Sequence, residues 1–472
     1  MSDNLSAMPV APVDAMATDA MATEAMPVDV APGDAEPAHT RVLPARPAPP
    51  VGPRQGRAAD LAGFVRDWFT SHEPELVAFR RDLHMHPELG RQEHRTADRI
   101  AERLTAAGLV PRRLPDIPGV WCDLVPARPE RGPAGEAADP ARTPAEDESP
   151  VVMLRADMDA LPLQDAKDVP YASSVPGVCH ACGHDVHTTV VLGAGLALAE
   201  YARAHPLPGT VRLVFQPAEE TIPGGALEVI EAGLLKPVDA AFTVHCDPAL
   251  DVGTVGLRPG PITSAADLVE IMLAGPGGHT SRPQNTVDLV YAMGALITQL
   301  PAALNRRIDP RSGLALVWGQ AQAGSVPNAI PRAGQLRGTV RTLSRETWES
   351  APELVEQLAH QIVAPFGADI VVDYRRGVPP VVNTVDMIDV LAAAVAEAFG
   401  HDAMATVAQS LGGEDFGWYL THVPGALARL GTRTPGGPTY DLHQGDYAVD
   451  ERAIGVGVRL LAGAAAEALT RL

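Results

Sequence analysis

This 472-residue chain has few aromatic residues, few cysteines and less positive than negative charge. Aromatic residues make up 4% of the composition, so its cores must be built mainly from Ala, Val and Leu. Four cysteines are too few for a disulfide framework in a chain of this size, which favours a reducing compartment, and we expect the cytoplasm. The formal net charge of -21 argues against nucleic acid or an anionic membrane as a partner, because both would be repelled.

The sequence also gives no targeting or membrane-spanning signal. Residues 1–40 contain no Lys or Arg and no apolar core run, so neither a secretory signal nor a transit peptide is expected there. No run approaches the ~18 apolar residues that a membrane-spanning helix requires. The composition, 46% hydrophobic and 20% charged, is globular, and the length suggests two or three domains. We therefore expect a globular protein that acts on small molecules.

Two segments of low complexity stand out along the chain. Residues 1–58 repeat Ala, Pro, Met, Val and Asp, and residues 126–150 are rich in Pro, Ala and Glu. Both have too little branched and aromatic surface to offset the entropy lost on ordering, so we predict a disordered extension and a disordered surface insertion. Between them, helical spacing predicts helices at residues 61–69, 76–83 and 96–107.

The middle of the chain alternates between strand and helix patterns. Short apolar runs predict buried strands, and the segments between them have helical spacing, which together indicate an α/β region. The predicted strands cover residues 151–154, 210–215 and 240–244, and the predicted helices cover residues 188–203 and 225–232.

Polar residues follow each of these strands. Asp157 and Asp159 come after the first strand, Glu219 and Glu220 after the second, and His245 at the end of the third. Open α/β sheets place ligand sites outside the carboxyl ends of their strands, so one cleft is expected to collect these side chains. We interpret Asp157 and Asp159 as residues that orient metal ligands, with a loop-capping role as the alternative.

A different pattern occupies residues 262–376. Its predicted order is strand, helix, strand, strand, helix, strand within ~110 residues, which is typical of a small two-layer α+β domain. Because His443, a further candidate for the site, follows this segment, we predict that the domain is inserted into the catalytic one. The catalytic domain then comprises residues 59–261 and 377–472 and ends in an amphipathic helix at 451–469.

The most informative stretch is Cys182-Gly-His184, which puts a thiolate and an imidazole two residues apart before an apolar helical run. Zinc binds thiolate, imidazole and carboxylate ligands, and two metals can share a bridging water whose pKa falls toward ~7. Adjacent Glu219 and Glu220 suit a division between a metal ligand and a free carboxylate that takes the proton from that water. With His245 and His443 added, the chain offers about the number of ligands that a two-metal hydrolytic site needs.

These motifs resemble those of a family of metal-dependent amidohydrolases, aminoacylases and carboxypeptidases, which includes hippurate hydrolases, N-acyl-amino-acid hydrolases and auxin-conjugate hydrolases. The resemblance extends from about residue 60 to residue 472. Its motifs lie at residues 81–89, 155–162, 182–185, 216–220, 277–279, 414–416 and 442–443. We predict an α/β fold with a catalytic domain, whose central mixed and mostly parallel sheet is flanked by helices, and an inserted ferredoxin-like dimerisation or lid domain.

Position by position, the resemblance implies a metal site and a catalytic base. Glu219 is implied to be the general base and later the general acid. Two divalent metal ions, of zinc, manganese, cobalt or nickel, are implied. Their implied ligands are Cys182, His184, Glu220, His245 and His443.

The resemblance also implies roles for residues of the inserted domain. His279 resembles a histidine that the smaller domain of a partner subunit contributes to stabilise the oxyanion, which implies a homodimer. Asn328 and Arg341 match positions that contact the substrate's carbonyl and carboxylate, and an arginine fork suits a carboxylate. A turn role for His279 and an ordinary strand-face charge for Arg341 are the alternatives.

The predicted reaction is hydrolysis of the amide bond of an N-acyl amino acid or a related conjugate. A dipeptidase or carboxypeptidase of the same mechanism is the nearest alternative. A non-catalytic metal-binding protein is another, as is a redox pair or half zinc knuckle formed by Cys179 and Cys182. Two positions depart from the family pattern: Gln284 stands where many relatives have His, and Gly445 where many have Pro, which leaves the substrate specificity open.

Overall fold

The structure is a computed structural model, and it describes residues 53–126 and 149–472. Side chains in the first of these ranges are described from residue 60 onward. The predicted disordered extension and insertion lie outside the described residues, apart from residues 53–58 and the flanks of the insertion at 126, 149 and 150.

Helices and strands alternate along most of the described chain. The α-helices are α1 (Pro53–Met85), α2 (His94–Ala106), α3 (His184–Ala202), α4 (Ala226–Glu231), α5 (Leu289–Arg307), α6 (Arg345–Val363), α7 (Val385–Phe399), α8 (Phe416–Tyr419) and α9 (Arg452–Arg471). The strands are β1 (Arg112–Arg113), β2 (Val120–Leu124), β3 (Val151–Asp157), β4 (Thr210–Gln216), β5 (Ala240–Asp251), β6 (Val255–Leu257), β7 (Gly260–Pro261), β8 (Ala266–Ala274), β9 (Gly278–His279), β10 (Ala315–Ala323), β11 (Ala329–Ile330), β12 (Ala333–Arg341), β13 (Asp369–Val378), β14 (Val382–Asn383), β15 (Met404–Thr406) and β16 (Gly425–Arg433). The predicted elements of the middle region correspond to β3, α3, β4, α4 and β5.

The larger sheet has the strand order β1-β2-β4-β3-β5-β16-β6-β15. Its centre is parallel, because β3 pairs in parallel with β4 and β5, and β5 pairs in parallel with β16. Antiparallel pairs join β1 to β2, β2 to β4, and β16 to β6. This arrangement confirms the predicted mixed, mostly parallel sheet.

Side chains of β3 alternate between two cores, one on each face of this sheet. Val152 and Leu154 belong to a core with helices α1, α2, α3, α7 and α9, whereas Val151 and Met153 belong to a core with α4 and α8. Successive residues of a strand point to opposite faces, so a strand covered on both faces needs apolar residues at consecutive positions. The continuous apolar run of β3 meets that need and explains why the sequence pattern predicted a buried strand.

The smaller sheet has the strand order β10-β12-β8-β13 and is antiparallel throughout. Helix α5 follows its first strand in the chain and α6 follows its third, which is the ferredoxin-like arrangement predicted from the sequence. Its buried core consists of residues between Val269 and Val363 and is distinct from both cores of the larger sheet. The exact bounds of this inserted domain, 262–376, stay a prediction.

The amino-terminal region differs from the prediction. A single helix, α1, replaces the two helices predicted at 61–69 and 76–83, and Pro74 lies inside it. Proline removes a backbone hydrogen bond and normally kinks or breaks a helix. Trp68 and Leu76, on either side of this proline, are buried in the same core. Packing on both sides of Pro74 therefore favours one continuous helix.

Helix α9 completes the larger domain. Within the described residues it is the one helix long and apolar enough to cross a membrane, and 72% of its most apolar window is buried inside the molecule. It packs against α1, α3 and α7. Its apolar surface is therefore part of the core.

Candidate metal centre

Five side chains from four separate stretches of the chain converge beside the larger sheet. Potential ligand atoms of Cys182, His184 and His245 lie within 4.8 Å of one another, and so do those of Cys182, Glu220 and His443. Cys182 belongs to both groups, and its Sγ lies 3.6 Å from His245 Nε2. Two groups that share one member suit a pair of adjacent metal ions.

Two atoms of this cluster are buried without a hydrogen bond among the described residues: His184 Nε2 and Glu220 Oε1. They lie 3.9 Å apart. The other ring nitrogen of His184, Nδ1, donates to the backbone carbonyl of Asp159 at 2.9 Å, and this bond fixes the ring. His443 Nε2 lies 3.0 Å from Glu220 Oε1 but is not aligned for a hydrogen bond. Buried polar atoms normally have partners, so these two atoms beside a thiol fit a metal site.

Gly183 sets the spacing between Cys182 and His184. Its φ of +93° lies in the left-handed region, and a Cβ added there would lie 2.8 Å from Cys246 Sγ. Glycine meets both conditions because it has no side chain. Helix α3 begins at the next residue, His184. The local sequence therefore puts a thiol and an imidazole on either side of a turn that requires glycine.

The loop after β4 holds Glu219 and Glu220 by their backbone. Asp159 Oδ1 accepts a hydrogen bond from the Glu219 N–H at 3.0 Å, and Asp159 Oδ2 accepts one from the Glu220 N–H at 2.9 Å. Ala218, just before them, has a φ of +61°, and its N–H donates to Glu93 Oε1 at 2.7 Å. These hydrogen bonds, of which the two to Asp159 are charge-assisted, fix the loop and leave both glutamate side chains free for the site.

Asp157 holds the ring of His187, a histidine next to the five-residue cluster. It accepts a hydrogen bond from His187 Nδ1 at 2.7 Å and one from Arg155 Nη1 at 2.7 Å. His187 Nε2 accepts a hydrogen bond from the Cys246 N–H at 2.8 Å, so its proton is on Nδ1. The ring of His187 packs against the ring of His245, with 5.0 Å between the two ring centroids. Asp157 thus orients a histidine that contacts the cluster, a residue to which sequence reasoning assigned no chemistry.

Glu219 is surrounded by carboxylates. Its oxygen atoms lie close to those of Glu414 and Asp415, in a group that spans no more than 4.8 Å. Burial, followed by the charges of Glu414, Glu220 and Asp415, raises the pKa of Glu219 well above its usual range. Its Oε2 lies 3.8 Å from His184 Nε2. The Glu414-Asp-Phe motif signalled these neighbours in the sequence, but its spacing did not show that they surround Glu219.

His443 lies on a tightly held loop. Its φ is +61°, and its N–H donates to the Ala181 carbonyl at 2.8 Å, which ties it to the Cys182 turn. Gly445 accepts a hydrogen bond from Lys167 Nζ at 3.2 Å. A Cβ added at Gly445 would lie 2.2 Å from the Gln164 carbonyl oxygen. The close approach of these two backbone segments gives a physical reason for glycine at this position.

Of the residues predicted in the inserted domain, His279 lies on a separate two-stranded ribbon and Asn328 directly precedes its second strand, whereas Arg341 is the last residue of β12 in the smaller sheet. His279 of β9 pairs with Ala329 of β11, and the Thr280 N–H donates to the Asn328 carbonyl at 3.3 Å. The ribbon therefore brings His279 and Asn328 together. His279 is exposed, and no hydrogen bond or ion pair joins it to the five-residue cluster in the part of the chain that the structure describes. Arg341 donates from Nη1 to the Leu411 carbonyl.

The chain is similar in sequence to curated bacterial proteins. The chain is 46% identical over 400 residues to a Rhodococcus jostii protein named as a putative glutamate–cysteine ligase, a match that covers 85% of this chain and 47% of that protein. This chain thus spans about half the length of that relative. A Bacillus subtilis N-acetylcysteine deacetylase is 35% identical over 387 residues, covering 82% of this chain and 95% of the relative.

Structural comparison agrees with the sequence matches. A Bacillus subtilis structure, described as a dinuclear metal-binding peptidase of the M20 family, has a TM-score of 0.71 and 32% identity, covering 85% of this chain and 99% of that chain. Residues 153–467 match the sequence profile of peptidase family M20/M25/M40. The chain therefore belongs to peptidase family M20/M25/M40 and is a metal-dependent hydrolase of amide bonds.

Proposed function

We propose that this protein hydrolyses the amide bond of N-acyl amino acids or closely related conjugates, in a site that holds two divalent metal ions. The proposed ligands are Cys182, His184, Glu220, His245 and His443. The strongest support is the convergence of these five side chains around Cys182, with Glu219 outside both groups that share the thiol. The N-acetylcysteine deacetylase among the relatives supports the substrate class.

The ligand set favours borderline transition metals. One thiolate, three imidazoles and one carboxylate suit zinc, cobalt or nickel better than magnesium, which prefers oxygen ligands. Metal ions held there would supply Lewis acidity, which polarises a carbonyl and makes water nucleophilic at neutral pH. Asp159 orients His184 through its backbone carbonyl and positions the glutamate loop, and Asp157 acts through His187.

Glu219 serves as the proton carrier. Its Oε2 lies 3.8 Å from His184 Nε2, so the carboxylate is placed to accept a proton from the attacking water and to return that proton to the leaving amine. The fixed backbone of its loop keeps the carboxylate beside the cluster during both transfers. This role requires a side chain that is close to the metal ligands without being one of them.

The substrate site is completed by residues of the inserted domain: His279, Asn328 and Arg341. We assign His279 to the site of a partner subunit in a homodimer. An exposed histidine without a link to the cluster of its own chain is what a residue acting across a subunit boundary would show. His279 would donate a hydrogen bond to the oxyanion, while Asn328 and Arg341 would bind the substrate carbonyl and carboxylate. The four cysteines are free and buried, which supports a reducing compartment and a cytoplasmic location.

The experiment is an activity screen with metal-reconstituted protein. Release of free amino acid is measured from a panel of N-acetyl amino acids and, in a parallel arm, from dipeptides. We expect the acyl substrates to be cleaved, and Glu219→Gln to lower kcat by ~10²–10⁴-fold while both metal ions are retained.

Preference for dipeptides would identify the peptidase alternative instead. If the protein binds two metal ions and cleaves no substrate in either arm, and Glu219→Gln changes nothing, it is a non-catalytic metal-binding protein. Cys179→Ser is the matched control for the redox alternative, and we expect it to leave metal content unchanged.

A further inference from the structure

Arg429 is a buried arginine whose side chain has no partner among the described residues. It lies on β16 in the larger sheet and is 7% exposed. Its side chain makes no hydrogen bond, ion pair or ring contact with any residue that the structure describes. None of its nitrogen atoms is fully sealed from solvent, so the guanidinium retains a small opening. Arginine is rarely buried unpaired, because an uncompensated charge away from water is costly.

The sheet register puts Arg429 beside the metal centre. Arg429 on β16 is the parallel partner of His245 on β5, and such partners project from the same face of a sheet. His245 Nε2 in turn lies 3.6 Å from Cys182 Sγ. On the other side, Arg429 pairs with Gly256, where an added Cβ would lie 3.0 Å from Arg429 Cβ. The missing side chain at Gly256 leaves room for the arginine.

The nearby carboxylates have other partners. Asp247 Oδ1 accepts a hydrogen bond from the Ala249 N–H at 2.9 Å, and Glu414 Oε1 lies 3.2 Å from Arg155 Nη1. Burial lowers the pKa of Arg429, although the charges of Asp247 and Glu414 oppose that shift. Neither carboxylate forms an ion pair with the Arg429 guanidinium among the described residues, so its donors are left without a direct acceptor there.

We propose that Arg429 binds a second carboxylate of the substrate, in addition to the amino-acid carboxylate assigned to Arg341, so that the favoured substrates are N-acyl amino acids with two carboxylates. A guanidinium fork matches a carboxylate in shape and charge. Arg341 lies in the inserted domain and already donates to the Leu411 carbonyl, whereas Arg429 lies on the catalytic sheet and its donors are unpaired within residues 53–126 and 149–472. This inference rests on the proposed function and narrows its substrate class.

The second carboxylate could come from the acyl group or from the amino-acid side chain, and matched substrate pairs separate these sources. N-succinyl-alanine is compared with N-acetyl-alanine, and N-acetyl-glutamate with N-acetyl-glutamine. We expect the dicarboxylate to be preferred in one pair. Arg429→Met is expected to reduce that preference in kcat/KM by ~10–100-fold, chiefly through KM, as expected for a lost charge-assisted hydrogen bond. Arg429→Lys, which keeps the charge and loses the fork, is expected to retain part of it.

Arg433→Met is the matched control. Arg433 lies on the same strand, and replacing it with Met makes the same change in net charge. Unlike Arg429, it is paired, because its Nε donates to Asp251 Oδ1 at 2.6 Å. We expect Arg433→Met to keep the substrate preference. Thermal melting checks the fold, and Arg429→Met should not lower the melting temperature, because it removes an unpaired buried charge.

Two outcomes overturn the inference: the wild-type protein shows no preference in either pair, or Arg429→Met lowers kcat/KM equally for both members of a pair. A protein that turns over no substrate counts against the proposed function. In that case, calorimetric titration of the two dicarboxylates into metal-loaded protein decides the role of Arg429. Weaker binding to Arg429→Met than to wild type upholds it, and equal binding or no binding refutes it.

Discussion

The candidate metal centre and the ribbon formed by β9 and β11 both carry predicted catalytic residues, but they differ in burial and support. Cys182 and His184 are buried, and Asp159 fixes both the His184 ring and the backbone of Glu219. His279 on the ribbon is exposed, and its Nδ1 accepts a local hydrogen bond from the Ser281 N–H at 3.1 Å. One chain thus brings the proposed metal ligands together by itself, whereas the ribbon presents a catalytic candidate outward.

The largest expected effect is the loss of the residue shared by both ligand groups. Cys182→Ser replaces a thiolate with a poor metal ligand, and we expect metal content to fall and activity to drop by ~10⁴-fold or more. Metal analysis of the purified variant and its rate on the best acyl substrate check this. Cys179→Ser, three residues away and equally buried, is the control. Equal effects of the two substitutions would show that Cys182 has no special place in the cluster.

The difference between the metal centre and the ribbon predicts that His279 acts in the site of the partner subunit. His279→Ala is expected to lower kcat by ~10²–10³-fold through the lost oxyanion contact, with metal content intact. Co-expression of His279→Ala with Cys182→Ser, under two affinity tags, gives mixed dimers in which one site has intact metal ligands and a histidine from its partner. Recovery of activity in these mixed dimers is expected. Dimers that stay inactive would place His279 in the site of its own chain.

The smallest expected effect concerns the support of the glutamate loop. Burial, followed by the charge of Asp159, raises the pKa of Glu93 to about 8 from an ordinary value of 4.5. Between these values the folded state binds a proton that the unfolded state has lost, so the free energy of unfolding falls as pH rises through this window. Glu93→Gln resembles the protonated form and retains an acceptor for the Ala218 N–H.

The stabilisation by Glu93→Gln relative to wild type should therefore grow from pH 4.5 to about 8 and then level off. Melting temperatures of both proteins at several pH values measure it. Glu75→Gln is the control, because the pKa of the exposed Glu75 is lowered by its hydrogen bond to Arg103 and its effect should stay constant over this window. A stability difference for Glu93→Gln that does not change with pH would contradict the assignment.

Much of the catalytic region could be predicted because its information is local. The apolar run of β3 and the polar residues after it follow one another directly, and the Cys182-Gly-His184 spacing fixes a turn by itself. The order of strands and helices in the inserted domain could also be predicted from the sequence pattern. These features depend on neighbours in sequence, which is what a pattern can report.

Other features depend on packing between distant segments and left no such pattern. Apolar spacing predicted two helices at 61–69 and 76–83, where packing on both sides of Pro74 favours one continuous helix. Glu93 supports Ala218 from 125 positions away, and a lone glutamate gives no sign of that contact. The importance of Arg429 lies in the absence of a partner among the described residues, which becomes visible when its surroundings are known.

The most direct test of the central claim is anomalous diffraction from crystals of the metal-loaded protein, recorded at the absorption edge of the bound metal. We expect two peaks, each within bonding distance of Cys182 Sγ, with Glu219 coordinated to neither. A single peak, or two peaks whose ligands do not include Cys182, would contradict the account.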